Sequence, residues 1–132
     1  MIGNPKLIFV YGTLKKGFPL HHYMEGAKFE CATQTRHPDY DLVAIDGEPV
    51  SPYPAIISGK FHVTGELYDV PDKILKALEK LEWRYTRTEV LLEGVMLPAY
   101  FFLHNQKNPN ILPDCPLVIR DSSGKSKTWV NP

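Results

Sequence analysis

The sequence shows no excess of charge: its 132 residues carry fifteen basic and fifteen acidic side chains, a formal net charge of zero. Without a basic or acidic face, there is no electrostatic reason to expect nucleic acid or an anionic membrane as partner. Cysteine is scarce too. Cys31 and Cys115 lie far apart and belong to no CxxC pair, so neither a disulfide framework nor a zinc ribbon is expected, and both should be free thiols. Cys115, between Asp114 and Pro116, has no neighbouring base to activate it as a nucleophile. Long apolar runs are missing: Leu7 to Tyr11 is far shorter than a secretory core or a membrane span, and the expected location is the cytoplasm. There is no GxxxxGKS or GxGxxG for a nucleotide phosphate, no GxSxG elbow and no internal repeat. His21 and His22 adjoin, and His37, His62 and His104 are scattered, so no pair has metal-ligand spacing. No metal and no cofactor is expected, and oligomeric state is not readable.

What remains is enough for one core. A hydrophobic content of 43% over this length suits a single domain, residues 1–132, with a segment from about residue 104 as a C-terminal extension. Lys6 to Tyr11 (KLIFVY) reads as a buried strand ending at Gly12, and the polar stretch after it as a loop leading into a short helix near His21 to Met24. Tyr40 to Ile45 reads as a strand before an Asp46-Gly47 turn. Pro49, Pro52 and Pro54 then hold the chain extended around Tyr53. His62 to Val70 alternates as a strand does, and Asp72 is placed to cap the helix after Pro71. Thr86 to Glu93 and Val95 to Leu103 read as paired strands, with Pro98 at an edge or bulge. His104 to Pro116 reads as an irregular loop, and Leu117 to Arg120 with Lys127 to Val130 as a terminal hairpin. The expected class is α+β: a small mixed, strongly curved or barrel-like sheet with one main helix and short additional helices.

The helix, Asp72 to Glu82 (DKILKALEKLE), carries an acid in the wrong phase. At about 100° per residue, Glu82 projects between Leu75 and Leu78, inside an apolar arc that Ile74 and Leu81 complete, while Lys73, Lys76 and Lys80 share the opposite face. Part-burial there would raise a carboxyl pKa towards the range of an acid/base catalyst. Helical phase alone also fits a structural acid paired with Arg84, Arg87 or a backbone donor. The turn Gly12 to Leu14 is the other candidate. Backbone N–H groups at the end of a strand can converge on an oxyanion, Gly12 lacking the Cβ that would block a ligand and Thr13 adding a hydroxyl. A plain strand-to-loop turn fits the same residues. Tyr53 and Tyr85 read as pocket residues or as packed aromatics, and Arg87 as a carboxylate partner or as a structural ion pair.

Taken in order, FVYGTLKKG (Phe9 to Gly17), SPYPAI (Ser51 to Ile56), VTGELYDV (Val63 to Val70), LEKLE (Leu78 to Glu82) and YTRTEV (Tyr85 to Val90) resemble the γ-glutamylcyclotransferase-like family, and within it the γ-glutamylamine cyclotransferase branch. The resemblance runs from about Leu7 to about Phe102. It implies a cyclisation that releases 5-oxoproline from a γ-glutamyl amine or peptide, with no cofactor. It also implies that Tyr11, Gly12, Thr13 and Leu14 bind the glutamyl group and that Glu82 is the proton acceptor, with Glu79 the non-catalytic acid. Trp83 stands where the family often has a small residue, a departure that bears on substrate choice. A small-molecule or protein binding module without turnover is the alternative on the same fold.

Overall fold

The computed structural model describes residues 6–47, 51–81, 85–105 and 109–130. Its centre is a pair of strands buried on both faces. In β1 (Leu7–Val10), Phe9 enters one apolar cluster, while Ile8 and Val10 enter another. In β5 (His62–Asp69), Val63 and Leu67 belong to the first cluster and Tyr68 to the second. The two strands pair antiparallel, Val10 opposite Glu66 and Leu7 opposite Asp69. Gly65 makes the approach possible: a Cβ built there would run into the Val10 carbonyl oxygen and lie 2.8 Å from Phe9 Cζ.

The rest of the sheet grows from this pair. β7 (Ala99–His104) lies parallel to β1 and carries β6 (Tyr85–Val90) on its other edge. β5 also takes β2 (Lys28–Gln34) antiparallel along Thr64 to Asp69, and β10 (Ser126–Trp129) parallel at His62 and Val63. β9 (Val118–Arg120) completes a hairpin with β10. These seven strands form one sheet, and a single bridge from Thr35 to Leu92 joins the end of β2 to the chain leaving β6. The sheet is therefore strongly curled but not a closed barrel. β3 (Tyr40–Ile45), β4 (Tyr53–Ser58) and β8 (Ile111–Leu112) form a second, three-stranded sheet.

Helix α1 (Asp72–Leu81) lays Ile74, Leu75, Leu78 and Leu81 onto the cluster that holds Ile8, Val10, Val70 and Phe102. Leu78 is fully buried, and the lysines stay exposed. The first helical bond runs from the Leu75 N–H to the Pro71 carbonyl, so Pro71 is the cap and Asp72 opens the first turn, where its charge suits the helix dipole. A 3-10 helix (His21–Met24) brings Met24 into the same cluster. Among the described residues no helix is long and apolar enough to cross a membrane.

The expected strands at Leu7–Val10, Tyr40–Ile45 and His62–Asp69 are present, as are the β6–β7 pair and the terminal hairpin. Four segments differ. The sequence pattern marks no strand at β2 or β4, and the stretch after His104 contains β8. Val95 to Pro98 is irregular chain rather than strand, with Met96 95% exposed, so Pro98 precedes β7 instead of interrupting it.

Gly65→Ala is expected to cost about 1–3 kcal/mol, because the clash is with backbone that cannot rotate away. Urea unfolding of the two proteins measures it, and equal midpoints would show that β1 and β5 separate without loss.

Candidate active site

Strand β1 ends in a tight turn. The Lys15 N–H bonds the Gly12 carbonyl at 3.1 Å, and the Leu20 N–H bonds the Thr13 carbonyl at 2.9 Å. The Leu14 carbonyl accepts from His21 Nδ1 at 2.9 Å, which fixes the proton on that nitrogen, since a carbonyl cannot donate. The turn's carbonyls are thus all engaged. Its amides are not: among the described residues, none accepts from the N–H groups of Gly12, Thr13 and Leu14. Gly12 and Leu14 are buried, and Thr13 is half-buried. Buried amides are nearly always paired, so donors left open together at a strand end are suited to an oxygen anion brought from outside the fold.

The neighbours of the turn are fixed by their own bonds. Tyr11, 7% exposed, donates its hydroxyl to the Phe102 carbonyl at 2.8 Å. The space that a Gly12 Cβ would need is filled by the Pro54 ring. The space left by the missing Cβ is thus taken by the proline rather than by the ligand expected there. Pro54 is in turn held through its carbonyl by the Tyr85 hydroxyl at 2.6 Å. Tyr85 is a packed aromatic with a satisfied hydroxyl. Its ring meets Tyr53 and His104 edge-on at 6.4 and 5.6 Å, and Tyr53 Oη lies 3.3 Å from His104 Nε2.

Glu82 lies outside the described residues. The residues that bracket it are described: Leu81 ends α1, Tyr85 begins β6, and both pack into the apolar cluster that contains Leu14. Helix end, strand start and amide turn therefore share one patch of core. Glu79, the other acid of the helix, pairs with Arg87, whose Nη1 is 3.1 Å from its carboxylate. Both partners are partly exposed, so the pair adds little to stability, but it assigns Arg87 a structural partner. No group of His, Cys, Asp and Glu among the described residues has the geometry to hold a metal ion.

Sequence reasoning missed a polar layer beneath the turn. The Lys16 N–H and the Tyr68 hydroxyl both bond Glu66 Oε1, at 2.8 and 3.0 Å. Lys15, expected in a polar loop, is only 7% exposed. The available signal was Glu66 in VTGELYDV, a charge on a strand with apolar residues on both of its faces.

Residues 8–122 match the gamma-glutamyl cyclotransferase, AIG2-like family. The chain belongs to that family. Among its relatives, gamma-glutamylaminecyclotransferase of Bos taurus is 30% identical over 116 residues, covering 74% of this chain and 63% of the relative. Gamma-glutamylaminecyclotransferase C of Danio rerio is 39% identical over 97 residues, covering 65% and 61%. The chain thus spans less than two thirds of the length of these relatives. The crystal structure of an AIG2-like protein from Mus musculus superposes with a TM-score of 0.62 at 31% identity, covering 74% of this chain and 76% of that one. The match extends beyond Phe102, through β8 and β9.

Burial first, then the bond and charge of Glu66, raise the Tyr68 phenol from its ordinary 10.0 to about 12. Between those values the unfolded chain has lost this proton and the folded one keeps it, so stability falls as pH rises through the window. Tyr68→Phe should remove that part of the decline, which urea midpoints measured across the window test. An unchanged slope would break the assignment.

Proposed function

We propose that this protein is a γ-glutamylcyclotransferase, of the γ-glutamylamine type, that releases 5-oxoproline by intramolecular attack of the substrate's α-amine on its γ-carbonyl. The observation that carries the reading is the set of Gly12, Thr13 and Leu14 amides, from which no described residue accepts, with Leu14 in the cluster against which Leu81 and Tyr85, on either side of Glu82 in sequence, also pack. Family membership and the γ-glutamylamine relatives support the substrate class.

The α-amino group is an ammonium ion at neutral pH and cannot attack until it loses a proton, which Glu82 as carboxylate accepts. The freed amine forms the ring C–N bond, and the carbonyl electrons move onto oxygen. That oxyanion is where the turn's N–H groups act, each such donor contributing on the order of 3 kcal/mol to a transition state of this kind. Collapse breaks the bond to the leaving nitrogen, to which Glu82 returns its proton. The second proton that the α-nitrogen sheds ends on the released amine, as its ammonium form. Tethering of nucleophile to carbonyl supplies the proximity that lowers the barrier.

The test is a panel of γ-glutamyl amines and peptides with 5-oxoproline as the readout, run on the native protein and on Glu82→Gln, which keeps size and loses basicity. The native protein should turn over γ-glutamyl amines faster than peptides. Glu82→Gln should lose roughly a hundredfold or more in kcat while its circular dichroism and thermal midpoint are kept. Near-normal turnover by the variant would remove Glu82 from the mechanism. Silence of the native protein across the panel, with binding retained, would make the fold a binding module.

A further inference from the structure

Lys15 directly follows the open amides, and its burial needs a reason. Lysine is almost never this buried unless paired. Its Nζ donates to the Trp129 carbonyl at 2.7 Å, a bond that spans 114 positions of sequence, and lies 4.6 Å from the centre of the Phe18 ring. Burial lowers its pKa below the usual lysine range, and the Glu66 carboxylate draws it back up. An apolar side chain of the same length would fill this place with no charge to desolvate. Stability alone therefore does not explain an ammonium here.

Position does. The adjacent Lys16 N–H is held by Glu66 at 2.8 Å, and Glu66 sits in β5 with Val10 opposite on one neighbour and Ala32 on the other. The stretch leaving the turn is thus tied at consecutive residues to two different strands, to β5 through Glu66 and to β10 through the Trp129 carbonyl. Both strands are anchored in the sheet, since β10 pairs with β5 and the Trp129 ring is 2% exposed. A turn fixed from two directions cannot swing about either attachment.

We propose that Lys15 is a positioning residue for the amide turn, and that Glu66 and strand β10 provide the anchor points of a clamp that keeps the Gly12, Thr13 and Leu14 donors aimed. The catalytic part of this inference rests on the reading of the turn as an oxyanion site. Preorganised donors lose most of their effect when displaced by about an ångström, on the order of a hundredfold in rate, so the clamp acts on the transition state more than on substrate binding.

Lys15→Met keeps the length and removes the ammonium. Two measurements decide. Hydrogen exchange of the Lys15 and Leu20 amides, whose bonds to Gly12 and Thr13 close the turn, should accelerate about tenfold at an unchanged thermal midpoint. The rate of 5-oxoproline release should fall about tenfold or more in kcat, with KM within roughly twofold. Unchanged exchange overturns the clamp whatever the turnover shows. Faster exchange with unchanged kcat overturns its catalytic role. Faster exchange in a protein whose native form releases no 5-oxoproline from any γ-glutamyl compound leaves the clamp standing and sinks the proposed reaction instead. Should Lys15→Met fail to fold, Glu66→Ala, which removes the acceptor of the exposed Lys16 amide, is judged by the same two measurements.

Discussion

Strand β1 is paired on both edges, antiparallel to β5 and parallel to β7, and its side chains enter an apolar cluster on each face. Its final residue is therefore placed by hydrogen bonds in one plane and by packing in the other. The turn that follows inherits that rigidity. Gly65 brings β5 close to the Val10 carbonyl, Pro54 closes over Gly12, and Leu14 drops into the core beneath α1. Donors carried on such a scaffold need no reorganisation when charge appears before them, the condition under which backbone amides stabilise an oxyanion best.

The same packing brings the helix to the turn. α1 has little to hold it besides its apolar stripe, and that stripe meets the face of the sheet that receives Leu14 and Tyr85. The helix end at Leu81 is thereby linked to Leu14 of the turn by core contacts. The polar layer of Lys15, Glu66 and Tyr68 lies beneath the turn, where charge is costly unless paired, and each of its members has a partner.

Much of this was legible in the sequence where side chains report on their surroundings. β1, β3 and β5 are rich in apolar and β-branched residues because they are buried, and the arc of Ile74, Leu75, Leu78 and Leu81 is the arc that packs. β2 left no such trace. Its residues are exposed or half-buried, a bulge between Phe29 and Cys31 breaks the alternation, and its pairing to β5 is backbone to backbone. At Gly12 the expected close approach was that of a ligand, whereas the group that fills the space of a Cβ is Pro54, from a strand whose position depends on tertiary packing. Lys15 was unreadable for a like reason: its acceptor is a main-chain oxygen near the other end of the chain. Glu79 and Glu82 were told apart in the sequence by helical phase and by their places in the family resemblance, and Glu79 pairs with Arg87.

The central claim is that the amides of Gly12, Thr13 and Leu14 form an anion-binding turn. Nitrogen-15 NMR during titration with 5-oxoproline, the proposed product, tests it without requiring turnover. The account predicts that these amides show the largest shifts in the spectrum, moving together along one saturation curve, with Lys15 and Tyr85 following. Saturable shifts centred instead on the cavity of about 250 Å³ lined by Asp41, Cys115 and Lys127, with the turn unmoved, would contradict it.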